Sequence, residues 1–410
     1  MLGPATPWWP EIRRECPPAF SGTAPDGHHL THAERAAQIE TCAIDVLSDD
    51  PIHPVLESVA PQSGFGGGLS GGWDFSHGPD QNDLAARALV SENLFWIVTA
   101  QYTIAPRLRH RGPGRTADRP RFDIYARFWD LPKLHEYGLG PTSPHLATPF
   151  GFREFFGGTD GSFPITDWMR IGARVEFRRP EISAGLLPPT TPGLARIPAF
   201  MHYGAIAQLH TPSLPPYAAT ATFDYSVYED LGGSGYTFGR FRTTLEWTRP
   251  LSHTVRADTT ASQSVIDHLF CRAAKVTLCD FGTITLRGRL TISNTFAHSV
   301  VPFYYQPTLG GTDIDGFDTL RGFDDYRFRA PDDWLAQAEY RHVIWGPFGL
   351  LLFYDVGKVA LGTSQLNFAT VRQDFGVGAT VTVVTRVVLR AYIAFGSGEG
   401  TASAIKLAQF

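Results

Sequence analysis

The feature that most constrains this chain is a side-chain alternation of period two that recurs in segments of nine or more residues. Met169, Ile171, Ala173, Val175 and Phe177 fall on one face of an extended strand, and Arg170, Arg174, Glu176 and Arg178 on the other. The same split sets Phe122, Ile124, Ala126 and Phe128 against Arg121, Asp123 and Arg127. It sets Phe241, Thr243, Leu245 and Trp247 against Arg240, Arg242, Thr244 and Glu246, and Ile284, Leu286, Leu290 and Ile292 against Thr283, Thr285, Arg287 and Arg289. A soluble sandwich also alternates, but it hides its apolar face between two sheets and needs only about five or six residues per strand. Segments near ten residues with charges opposite the apolar face are the pattern of a transmembrane barrel, greasy toward lipid and polar toward the lumen.

Candidate strands lie near 65–76, 83–90, 93–105, 119–130, 164–178, 199–210, 217–229, 236–248, 252–262, 266–279 and 282–305, then 334–345, 347–357, 371–382, 386–396 and 403–410. They total 16, an even number that closes an antiparallel barrel with both ends on one side. Tight links at Asp280–Gly282 and Gly346–Pro347 are assigned to one end, and long ones at Arg107–Arg119, Pro180–Arg196 and Gly310–Asp333 to the other. The link from Leu131 to Pro164 breaks this alternation, being long on the side given short turns. Residues 1–60 read as a separate N-terminal periplasmic segment and 61–410 as the barrel. Within the first segment, Thr31 and Glu34 have capping-box spacing before Ala36, Ile39, Ala43, Val46 and Leu47, which predicts a short amphipathic helix from His32 to Leu47.

Composition agrees with an all-β, closed, antiparallel transmembrane barrel. Aromatics supply 13% of residues and charged residues only 18%, below the roughly 25% of a soluble chain. The longest run free of charges, Ile197 to Phe223, holds Gln208, Ser213 and four prolines and cannot be a membrane helix. Strands are the other spanning structure that satisfies every backbone group. A net charge of −5 with scattered Lys and Arg gives no basic face for nucleic acid. Outer-membrane lipids are the expected surroundings. Trp96, Tyr102, Trp168 and Trp247 read as interface-belt or lipid-facing residues. The start lacks the charged, apolar and small-residue regions of a signal peptide, so a mature or truncated form, or a start placed too late, is expected. Cys16, Cys42, Cys271 and Cys279 form no CxxC pair; Cys16 and Cys42 either pair in an oxidising compartment or stay as thiols.

Four motifs in the last hundred residues carry a resemblance. Leu320-Arg321-Gly322-Phe323 stands inside the longest late loop, and Glu339-Tyr340-Arg341 lies on the next strand. Phe353-Tyr354-Asp355-Val356-Gly357 lies on the one after, followed by Arg372 and Gly376-Val377-Gly378. In order and strand spacing they resemble the C-terminal barrel of the bacterial surface antigen family, which includes outer-membrane assembly factors and two-partner secretion transporters. The resemblance implies protein or solute translocation or assembly support, with client polypeptides or other envelope proteins as partners and no cofactor. A general diffusion porin or structural outer-membrane protein is the alternative, and a soluble carbohydrate-binding or hydrolytic protein a third reading. The chain departs from the family twice: 60 residues are too few for a polypeptide-transport-associated domain, and Lys406 shares the face of the terminal Phe410.

The chemistry of the loop motif follows from its residues. An arginine folded into a barrel needs a carboxylate on the inner wall. Asp355 shares an inward face with Phe353 and Gly357, and Glu339 shares one with Gln337 and Arg341, so Arg321 is expected to pair with Asp355 with Glu339 nearby. Gly322 is expected to permit a tight turn and Phe323 to pack on the wall. Such a loop either rigidifies the barrel as a plug or gates it. No catalytic constellation is readable. Gly68-Leu69-Ser70-Gly71-Gly72 spells a hydrolase motif, yet no helical pattern follows it, and glycine in a bending strand is the plainer account. His28, His29 and His32 have no carboxylate or cysteine to complete a metal set and read as a solvated cluster.

Overall fold

A computed structural model describes residues 52–75, 81–106, 119–211, 218–255, 271–272, 277–296, 299–345, 347–383 and 386–407, with Ser21, His29, Thr31 and Arg35. The expected N-terminal helix, the cysteine pair and Phe410 fall outside the described residues.

The chain is a meander. In order come β1 (Ile52–Leu56), β2 (Gly66–Asp74), β3 (Gln81–Ser91), β4 (Trp96–Ala105), β5 (Arg121–Glu136), β6 (Thr148–Thr166), β7 (Met169–Ser183), β8 (Phe200–His210), β9 (Ala218–Asp230) and β10 (Phe238–Val255). A two-residue β11 (Cys271–Arg272) precedes β12 (Thr277–Thr295), and the short β13 (Thr308–Leu309) and β14 (Phe328–Arg329) pair with each other. The wall resumes with β15 (Asp332–Trp345), β16 (Phe348–Ala360), β17 (Arg372–Val383), β18 (Arg386–Gly396) and β19 (Gly400–Leu407). Every neighbouring pair from β1 through β10, β12 and β15 to β19 is antiparallel.

The alternation has the sense that the sequence gives it. Ile124, Val175, Leu245, Leu352, Val377 and Ile393 each keep 42–51% of their surface exposed on the outer face of the wall. Their neighbours Asp123, Glu176, Glu339 and Asp355 are buried on the inner one. Exposed apolar side chains on this many consecutive strands are stable only against hydrocarbon. Trp96 and Trp168, both exposed, stand at opposite ends of the wall.

Several expected boundaries differ. The long Leu131–Pro164 link contains β6, which pairs with β5 and β7 along its length. The described ends of segments 252–262 and 266–279 belong to longer strands: Ser252–Val255 continues β10 and Thr277–Cys279 opens β12, the two pairing directly from Phe238↔Thr295 to Val255↔Thr277. Asp280–Gly282 is a bulge in β12, not a turn, because Ser252 faces Asp280 while Leu251 faces Gly282. Ile52–Leu56, inside the segment expected to precede the barrel, pairs with β2. Following the strands back and forth puts the 106–120 link at the same end as the tight 346–347 turn, and the 184–199 and 296–331 links at the other. Ser70 lies mid-strand in β2, without the strand-to-helix turn a nucleophile elbow requires.

What curls this sheet into a barrel is visible in the 299–331 segment. It touches β5 and β6 early in the wall, β10 and β12 in the middle, and β15, β16, β18 and β19 at the end. Gln62, just before β2, reaches the same segment by donating to the Asp325 carbonyl at 3.3 Å. One inserted segment reaches both ends of the sheet only if the sheet wraps around it.

Candidate functional site: a loop sealed into the lumen

The 299–331 segment enters through an aromatic collar. Phe303–Tyr305 form one turn of 3-10 helix, buried against inward side chains of the wall. Phe303 meets Phe150 edge-on at 5.1 Å between ring centroids, and Tyr305 meets Phe200 at 5.3 Å. Such edge-to-face pairs each contribute about 0.5–1.5 kcal/mol beyond burial. The Tyr305 hydroxyl donates to Glu154 at 2.6 Å, and Arg240 donates to the Tyr305 carbonyl. β13 and β14 form the neck, and residues 310–327 are the tip. Gly310, at φ 117°, starts the tip in a conformation open to glycine alone.

The structure brings Arg321, Asp355 and Glu339 together at the inner wall. Arg321 Nε and Nη2 donate to the two Asp355 oxygens at 2.8 Å each, and Nη1 donates to Glu339 at 2.8 Å. This is a bidentate fork with a third charged bond, the geometry in which arginine holds best. The guanidinium also lies 3.7 Å from the Phe353 ring centroid. Gln337 donates to Asp355 at 3.2 Å and to the Thr319 carbonyl at 2.8 Å, tying wall and loop again. Burial opposes the charge on Arg321, and Asp355 and Glu339 more than reverse that, so it stays a cation.

Leu320 and Phe323 are buried with Leu309, Phe328 and Ala330 of the loop and Leu335 and Val359 of the wall. Gly322 lies in a turn closed by the Phe323 amide donating to the Leu320 carbonyl at 3.2 Å, and its backbone is not left-handed, so the need for glycine there comes from packing. A Cβ there would sit 2.6 Å from the Asp374 Cβ and 2.7 Å from the Gly396 nitrogen, so glycine permits the loop to lie directly on β17 and β18. Gly357 leaves the space that Leu309 fills, 3.1 Å from where a Cβ would stand.

Other anchors gave no local signal in the sequence. Arg327 Nε donates to Glu399 at 2.6 Å and its Nη1 to the Ser143 hydroxyl at 2.8 Å. Arg329 pairs with Glu136 at 2.6 Å and donates to the Phe303 carbonyl at 2.7 Å. Arg289 of β12 holds Asp313 at 2.7 Å and Asp333 at 2.6 Å. Lys406, an oddity as part of a lipid-facing terminal strand, turns inward and binds Asp318 and Thr312 of the tip. Arg390 adds a second cation to Asp318 at 3.2 Å. Burial alone would raise the Asp318 carboxyl, but the Lys406 ammonium brings it below the usual carboxylate range. Three arginines within nine residues of one loop, Arg321, Arg327 and Arg329, were the available clue. Among the described residues, no group of three His, Cys, Asp or Glu side chains is placed to hold a metal.

Fold and site together define a membrane-type barrel with a loop locked into its lumen. No family model and no curated protein matches the sequence. Among solved structures, the chain is similar to BamA from Haemophilus ducreyi lacking POTRA domains 1–3, with a TM-score of 0.53 and 12% identity over 97% of this chain and 80% of that one. It is also similar to CdiB from Acinetobacter baumannii, with a TM-score of 0.51 and 11% identity over 95% of this chain and 70% of that one. The chain has the fold of these barrels.

Proposed function

We propose that this protein is an integral outer-membrane barrel of the surface antigen type that supports polypeptide translocation or outer-membrane assembly, with the 299–331 loop as its gate. The observation that carries the reading is the seated loop, whose Arg321 is fully buried and spans two wall strands through Asp355 and Glu339. A diffusion porin needs an open lumen, whereas this one is crossed by a segment anchored on strands all around it. At the tip the fastenings to the wall are charged and hydrogen-bonded and can be exchanged for a polar chain or water, while the aromatic collar at Phe303–Tyr305 holds the base of the loop in place. The likeness to the BamA and CdiB barrels supports the same reading. The outer membrane is the compartment that suits strands greasy on their outer face, and its lipids and client polypeptides are the partners.

The test is conductance in planar bilayers together with photo-crosslinking from the lumen-facing Ile97 to an unfolded outer-membrane polypeptide. The reading expects a mostly closed channel with brief openings, and a crosslink that increases when residues 310–327 are deleted. Steady conductance without crosslinking, equal in both forms, would identify a porin.

A further inference from the structure

Between the plug and the early half of the wall lies a chamber of about 1200 Å³. Four wall arginines line it, Arg87 on β3, Arg127 on β5, Arg174 on β7 and Arg242 on β10, beside the plug's Arg321 and Lys406 of β19, which are paired with Asp355 and Asp318. Three have a carboxylate. Arg87 meets Glu57, Arg174 meets Asp224 at 3.3 Å, and Arg242 meets Asp315 at 3.6 Å. Among the described residues, no carboxylate lies within 4.0 Å of Arg127. Its guanidinium rests instead on the rings of Phe156 at 5.2 Å and Trp129 at 5.8 Å.

Strand register places Arg127 in a specific setting. Arg87 faces Thr99, and Thr99 faces Arg127, so the three form one inward row across β3, β4 and β5. Two cations thus flank a single small hydroxyl residue, with their Cα atoms roughly 10 Å apart, two strand spacings. Like charges opposed across one residue repel, and the enclosed setting strengthens that repulsion. Glu57 relieves Arg87 on one side only, and among the described residues the buried Nε of Arg87 has no hydrogen-bond partner. The same holds among the described residues for the buried Nε atoms of Arg174 and Arg242. The plug acids on this chamber point to other partners: Asp315 pairs with Arg242, Asp325 accepts the Thr312 amide and Asp324 the Tyr137 hydroxyl. The chamber therefore offers planar donor forks, one guanidinium without a carboxylate in ion-pair range and a hydroxyl, and among the described residues nothing fills the gap between them.

From this we infer that the Arg87–Thr99–Arg127 row is a binding site for a small soluble dicarboxylate, one carboxylate on each guanidinium and the Thr99 hydroxyl between. Guanidinium forks match carboxylates in a bidentate manner. The ligand comes from solution, since the row faces the lumen and not the lipid.

The test uses the full-length protein in detergent, titrated calorimetrically with succinate and with succinamide, which has the same skeleton and no charge. Succinate is expected to bind and succinamide not to. Arg127→Gln is expected to weaken succinate binding about tenfold or more, while Lys133→Gln, at an exposed site of the same strand, leaves it unchanged. Arg127 makes no hydrogen bond to the plug, so its loss leaves the loop seated. Thr99→Glu is the second variant: its carboxylate fills the gap, and it is expected to abolish succinate binding and raise the thermal midpoint. Equal binding of succinate and succinamide overturns the inference, as does unchanged affinity in Arg127→Gln. Binding of inorganic phosphate without succinate overturns the dicarboxylate assignment. Should Arg127→Gln fail to fold, retained succinate binding in Thr99→Glu overturns it too.

Discussion

Replacing Arg321 by alanine removes the central fastening of the loop, and its effect can be worked from the contacts. Three charged hydrogen bonds at 2.8 Å disappear along with the contact to the Phe353 ring. Glu339 keeps cationic neighbours, Arg341 and Arg390, both at 3.7 Å. Asp355 keeps only Gln337 and the loop amide, and it faces the buried Asp374 across the β16–β17 ladder. The deletion therefore leaves two adjacent buried acids without a counter-ion. Breaking a buried pair by removing one partner costs about 3–5 kcal/mol, and this setting places the cost in the upper part of that range. If all of it falls on loop seating, the seated-to-unseated ratio drops roughly 700- to 4000-fold. The assay is twofold: single-channel recordings in planar bilayers, and labelling of a Phe317→Cys reporter at the exposed tip in a background without the native cysteines. Arg321→Ala is expected to conduct more often and label faster. Arg321→Lys, which keeps the charge but loses the fork, should fall between it and the wild type. Conductance and labelling unchanged in Arg321→Ala, with normal yield, would refute the loop-lock reasoning.

Further outcomes follow from the same geometry. Gly322→Ala drives a methyl into the Asp374 Cβ and the Gly396 backbone, so it should cost about 1–3 kcal/mol and lower the temperature at which the folded band is lost in semi-native gels. Val377→Arg puts a charge on the outer face at the middle of β17 and should cost about 2–4 kcal/mol, read as a smaller membrane-inserted fraction; unchanged insertion would count against a lipid-facing wall. Asp318 has a depressed carboxyl, so its contribution is complete above the usual aspartate range and fades as pH falls through its lower folded value. Tip labelling should accordingly rise in acid, and Asp318→Asn should show part of that rise already at neutral pH.

The sequence disclosed most of the wall because one face of each strand meets lipid and the other meets water or ions. It failed where that contrast vanishes. In β6, Phe150, Phe152 and Phe156 point inward against the plug, while Phe155 and Phe163 point outward, so both faces are apolar and the alternation disappears. Gly157, Gly158 and Gly161 weaken the pattern further. The opposite error arose at Phe281, where a bulge in a long strand resembles a turn. β1 and β6 went unseen, while the residues 252–255 and 277–279, expected as parts of separate strands, continue β10 and open β12. At the site, Arg321, Asp355 and Glu339 were legible because motif and strand parity name their positions. Arg327 with Glu399, or Lys406 with Asp318, are partners 72 and 88 residues apart, which no local spacing reveals.

A consequence for assembly lies in Lys406. The same tip is held by residues next to the first full-length strand and by a side chain on the last, so the plug acts as a template spanning the gap between the two ends of the sheet. A chain that completed its wall with this segment outside would have to admit it afterwards through a finished rim. Productive folding therefore gathers the late strands around the loop, and the ring draws shut on a segment already in place.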